Sequence, residues 1–120
     1  MKTNNVMQEK AFSFALRILS LHKYLNNKSE RAISDQVLRS GTSIGANIEE
    51  AIGGLTRKEF LMKLTIAYKE ARETIYWLKL LKETRLLEEK LAISLISDCD
   101  ELLRLLGSAQ KTMKAKITAN

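Results

Sequence analysis

The sequence predicts an all-α fold, a single domain over residues 1–120 folded as an antiparallel up-down-up-down four-helix bundle. Three observations carry this prediction. Proline is absent from all 120 residues, which favours long uninterrupted helices, because turns and strand edges ordinarily recruit it. Apolar residues recur at steps of three and four in four successive stretches, the period of a helix with one buried face. The segments between these stretches are short, and short connections make antiparallel neighbours.

The first helix is expected over about residues 6–26, with Met7, Ala11, Phe14, Ala15, Ile18, Leu21 and Leu25 on its core face. Asn4 or Asn5 would cap its start. The turn Asn26-Asn27-Lys28 follows, since asparagine tolerates left-handed backbone angles. Ser29 is expected to cap the second helix, residues 29–52, which stops at the pair Gly53-Gly54. Thr56-Arg57-Lys58-Glu59 has the pattern of a capping box and opens the third helix, residues 57–83. There Phe60, Leu64, Ala67, Ala71, Thr74 or Ile75, and Leu78 mark the seam, with two alanines small enough to admit a close neighbour. The fourth helix, residues 88–115, opens on Glu88-Glu89, where the helix dipole favours anions, and buries Leu91, Leu95, Cys99, Leu102, Leu106, Ala109 and Met113.

The stretch 36–51, QVLRSGTSIGANIEEA, organises the chain. At about 100° per residue it presents two neighbouring arcs. Ile33, Val37, Ile44, Ile48 and Ala51 form an apolar arc, and Gln36, Arg39, Ser43, Asn47 and Glu50 form a polar one. A helical glycine costs about 1 kcal/mol against alanine. Gly41 and Gly45 together therefore predict a close approach of another helix, at Gly41 above all, where leucine would overpack. Helix propensity by itself would favour alanine at Gly41. The polar arc needs partners, and Glu70 and Glu73 of the third helix, from the same or an adjacent subunit, are candidates. Surplus polar and small surface of this kind argues for an oligomer.

Chemistry is sparsely represented. A bundle-type dinuclear metal site needs Glu-x-x-His motifs, and His22 is the one histidine, so no metal or other cofactor is expected. The glycines of SGTSIGAN lack the lysine and the preceding strand of a phosphate-binding loop, and Ser43 has no histidine in a plausible motif. No enzyme is expected. Cys99 lies on an apolar stripe and reads as a buried inert thiol, consistent with a cytoplasmic location. The start MKTNNVMQEK carries Glu9 and Lys10 where a signal peptide needs its apolar run, and no stretch is apolar enough to suggest a membrane span.

Charge is the remaining signal. The net charge is +6, and residues 56–86 hold eight Lys and Arg against four Glu, a net +4. Lys58, Lys69, Arg72, Tyr76 and Lys79 share one flank of the third helix, a pattern suited to RNA or DNA, with a solvated helix face as the plainer reading. Trp77 beside Tyr76 suits an interface, or equally the chain's own core.

The run Gln36 to Ala51 resembles the hallmark of the four-helix-bundle proteins encoded in 23S rRNA intervening sequences. Phe60, Leu64, Ala67, Ala71, Glu73 and Trp77-Leu78 resemble that family's second block, and the similarity extends over about residues 12–106. The resemblance implies a small bacterial bundle that assembles as a homopentamer and has no catalytic residues. It also implies kinship with accessory proteins of diversity-generating retroelements, basic pentamers that bind nucleic acid with a reverse transcriptase. This chain is less basic than that branch. The expected function is non-enzymatic: self-assembly with nucleic-acid binding, or, as the alternative, a purely structural or protein-interaction oligomer.

Overall fold

Four helices account for nearly every residue that the computed structural model describes, namely 2–119, with side chains described for 4–119. They are α1 (Lys2–Asn27), α2 (Arg31–Ile52), α3 (Arg57–Glu83) and α4 (Glu89–Thr118). At 1.5 Å per residue they are about 33–45 Å long, within a body of 52 × 21 × 20 Å. All four must therefore lie along its long axis. Each packs against its neighbour in sequence and α1 closes against α4, while α1 and α3, like α2 and α4, stand on diagonals. This is a four-helix bundle, and among the described residues there is no strand.

The core is one continuous column. Met7, Phe14, Ile18 and Leu25 of α1 meet Val37, Ile44 and Ile48 of α2, Leu64, Leu78 and Leu81 of α3, and Leu95, Leu102 and Leu106 of α4. The small residues of α3 allow the close approach expected of them: Cys99 on α4 donates its thiol proton to the Ala71 carbonyl at 3.3 Å. Among the described residues three polar side chains, Ser34, Ser40 and Thr74, are fully buried, and each is paired. Ser34 donates to the His22 carbonyl at 3.1 Å, tying α2 to α1. Thr74 lies 2.8 Å from the Glu70 carbonyl and 2.9 Å from the Ser40 hydroxyl. With a single proton, Thr74 serves the carbonyl and Ser40 donates to Thr74, which joins α2 to α3 through the core.

Several helix boundaries differ from expectation for local reasons. Helix α1 is already running at Lys2, so Asn4 and Asn5 lie inside it and cap nothing. Ser29 does not cap α2; it takes φ 62°, and Glu30 stands at the N-cap without a side-chain bond. The left-handed residue closes a Schellman turn, with Ser29 N–H on the Asn26 carbonyl and Glu30 N–H on that of Leu25, at 3.1 and 3.0 Å. The α3–α4 connection repeats it, with Arg85 at φ 61° and the N–H groups of Arg85 and Leu86 on Lys82 and Leu81. Glycine would suit both positions, yet Gly53, where α2 stops, has φ −78° and uses no such freedom.

The Thr56 cap forms as expected, accepting from Glu59 N–H at 3.0 Å, while Glu59 reaches back to Leu55 N–H at 2.9 Å. On α4 the stripe begins one residue late: Ala92 is buried and Leu91 exposed. Ala15 and Ile33 are half-buried, and at the position left open on α3 Thr74 is inside and Ile75 only partly so.

Candidate functional site

The central helix makes its close approach at Gly41. A Cβ there would lie 2.9 Å from both Cγ1 and Cγ2 of Ile18, so α1 and α2 touch at this point without room for a methyl group. At Gly45 the nearest neighbour, Ala11 Cβ, would be 3.5 Å away, an ordinary contact. The helix-propensity argument for alanine therefore holds at Gly45 and fails at Gly41, where steric cost outweighs it.

The polar arc of α2 finds its partners within this chain. Arg39 donates through Nη1 to Glu70 at 2.9 Å and through Nη2 to Glu73. Trp77 Nε1–H donates to the same Glu73 oxygen at 2.9 Å, so guanidinium, carboxylate and indole form one knot on the α2–α3 seam. The Trp77 hydrogen bond is the main cause that holds the Glu73 carboxyl below the usual carboxylate range, with Arg39 assisting against partial desolvation. The bond to Glu73 likewise raises Arg39. Ser43 and Asn47 donate to the carbonyls one turn back, Arg39 and Ser43, at 2.5 and 2.8 Å. Glu50 pairs with Lys63 of α3 at 2.8 Å. Gln36 is exposed.

The four cations singled out on α3 form a row. Lys58, Lys69, Arg72 and Lys79 are all exposed, and among the described residues none is in an ion pair. The row is about 31 Å long. Met62 and Tyr76 lie on the same flank, 53% and 56% exposed. Tyr76 is steadied by an edge-to-face contact with Trp77, ring centroids 5.1 Å apart. Beside the row, a groove between α3 and α4 is lined by Arg72, Ile75, Tyr76, Lys79, Asp100 and Leu103.

Among the described residues no group of three His, Cys, Asp or Glu side chains is placed to hold a metal ion. Burial, with Asp100 and Asp98 nearby, pushes the Cys99 thiol up to about 12, so it stays protonated at neutral pH. His22 meets Asp35 at 3.0 Å on the α1–α2 surface. No described helix is long and apolar enough to cross a membrane.

One surface was not anticipated from the sequence. Phe12, Leu16 and Leu19 stand one turn apart on the outer face of α1, 67%, 52% and 50% exposed. Their spacing is helical but rotated off the core stripe of Ala11, Phe14 and Ile18, and that second register was the available signal. The ion pairs Arg17–Asp98 at 2.6 Å and Lys10–Glu101 at 3.3 Å bridge the α1–α4 seam on another side of α1.

Comparison with known proteins agrees with this architecture. The model of the 23S rRNA-intervening sequence protein family matches residues 3–108. A crystal structure from Bacteroides thetaiotaomicron, of a protein with unknown function from the S23 ribosomal protein family, is 46% identical and superposes with a TM-score of 0.88. The match covers 91% of this chain and 98% of that one. No curated protein matches the chain.

Proposed function

The chain belongs to the 23S rRNA-intervening sequence protein family, and from that premise we propose that it is a non-enzymatic bacterial protein of the cytoplasm that self-assembles and binds nucleic acid through α3. The observation that carries the binding is the row of exposed cations without acidic partners, Lys58, Lys69, Arg72 and Lys79. An isolated surface cation normally sits in water at no cost, but four on one flank, interleaved with Met62 and Tyr76, give a backbone-tracking surface. Phosphates would displace counterions there, so affinity should be salt-dependent and only weakly sequence-specific.

The α1 stripe supports self-assembly. A contiguous apolar face of large side chains is an unusual thing for a bundle to leave in water, and the polar arc of α2 has already found partners inside the subunit. A single heterologous contact repeated around an axis closes a ring. The proposed ring is a homopentamer, the number resting on the family resemblance, as does a reverse transcriptase as protein partner. The α1 stripe also favours the second reading, an oligomer with a purely structural role.

Light scattering tests the assembly common to both readings, and nucleic-acid retention separates them. Light scattering at micromolar concentration should give about five times the 13.6 kDa chain mass; a mass of one chain would end the assembly proposal. RNA or DNA that co-purifies at low salt and is released by raising it supports binding, whereas no retention at low salt leaves the structural oligomer.

A further inference from the structure

We infer that the α3–α4 groove beside the cation row takes single-stranded nucleic acid, with one base lying against Tyr76 and Ile75 and its amino group directed to Asp100. This rests on the nucleic-acid reading above and narrows it. The cations account for phosphate binding alone, which a duplex would satisfy as well as a single strand. They do not account for the apolar floor that runs beside them. That floor is Ile75 and Leu103, and it continues past Lys79 and Asp100 to Ile93 and Ile96.

A duplex keeps its bases stacked inside and would ride over the cations, leaving the floor empty. A single strand has faces to place there, and stacking on an aromatic side chain tolerates any base. Tyr76 is suited to that role because its ring is exposed yet held by Trp77, which is itself tied to Glu73. Arg72 and Lys79 line the same groove and can take the flanking phosphates.

Asp100 favours a base over the other ligand such a groove could hold, an acidic amphipathic helix, because a base offers it an amino group. Asp100 lines the groove, and its Oδ2 accepts from Arg104 at 2.8 Å. The carboxylate repels phosphates as it would an acidic peptide, a repulsion that its pair with Arg104 offsets. It accepts from the amino groups of adenine, cytosine or guanine.

The test is fluorescence anisotropy of the intact protein with one labelled oligonucleotide of mixed sequence, single-stranded and annealed to its complement. The single strand should bind about tenfold tighter than the duplex. Tyr76→Ala should lose about tenfold on the single strand and nothing on the duplex, and Tyr76→Phe should retain both affinities. Asp100→Asn should weaken an adenine-rich strand relative to a uracil-rich one. Tyr76 is exposed, so circular dichroism of the variant should match the parent. Equal affinity for the two forms, or a loss on Tyr76→Ala that is the same for both, overturns this inference and leaves nucleic-acid binding standing. Failure of both forms to bind at low salt overturns the broader reading as well. An acidic helical peptide whose binding depends on Tyr76, when the oligonucleotides ignore it, assigns the groove to a protein and overturns the inference.

Discussion

Alanine substitution at the two glycines of α2 should move stability in opposite directions. Gly45→Ala gains the helix propensity of alanine, about 1 kcal/mol, and its methyl meets Ala11 at an unstrained 3.5 Å. Gly41→Ala gains the same propensity but sets its methyl 2.9 Å from two carbons of Ile18. Both are attached to Cβ of a β-branched side chain, so they cannot swing away as a flexible tip would. Either α1 shifts outward along a core packed from Met7 to Leu25, or Ile18 leaves its rotamer. Overpacking of this kind costs about 1–3 kcal/mol, and the net effect should be a loss of about 1 kcal/mol. Leucine at 41 should lose more. For a domain of this size 1 kcal/mol corresponds to about 3–6 °C in Tm, and urea midpoints followed by circular dichroism would resolve it. Ile18→Ala should relieve part of the penalty, so the double variant with Gly41→Ala would be less damaged than the two single losses added together. If Gly41→Ala raised the midpoint as Gly45→Ala does, the steric reasoning would be refuted.

Three further outcomes are expected. Ser29→Gly and Arg85→Gly should each stabilise by about 0.5–1 kcal/mol, since both residues hold left-handed angles that glycine adopts without strain; no gain in urea midpoint would mean that the turns relax instead. The Glu73 carboxyl is held low in the folded protein, so its contribution is present above the ordinary carboxylate range and lost as pH falls through its folded value. Glu73→Gln should accordingly flatten the acid decline of the unfolding midpoint, and an unchanged slope would remove Glu73 as a source of it. Leu16→Glu on the exposed α1 face should shift the mass found by light scattering toward the single chain with little loss of helicity; an unchanged mass would put the subunit contact elsewhere.

The fold was largely legible because periodicity is an additive signal: twenty or so positions per helix vote on one face, and few were misplaced. Helix ends were less so. At Ser29 the sequence shows a good capping residue, and only the carbonyls of Leu25 and Asn26 make it the left-handed member of a Schellman turn. Leu91 and Ala92 differ by one position, and the packing against α3 chooses the smaller. At the candidate site, the flank of Lys58, Lys69, Arg72 and Lys79 followed from spacing along a single helix. The groove did not, because Ile75 and Asp100 are brought together by the docking of α4 on α3. Gly41 shows the same limit. Sequence indicated a close approach, but the sign of an alanine substitution depends on Ile18.

The proposed role of α3 is tested most directly by the salt dependence of nucleic-acid affinity. Each phosphate contact contributes about 0.7–0.9 to the slope of log K against log salt. Four cations thus predict a slope near −3 for one chain, larger if several chains contact one strand. Reversing two of them, Lys69→Glu with Arg72→Glu, should cut the slope by about 1.5 and abolish retention at moderate salt. The fold should survive, since exposed substitutions cost under about 0.5 kcal/mol. A parent protein that shifts neither RNA nor DNA at low salt, or a double variant with an undiminished slope, would contradict the assignment of that face.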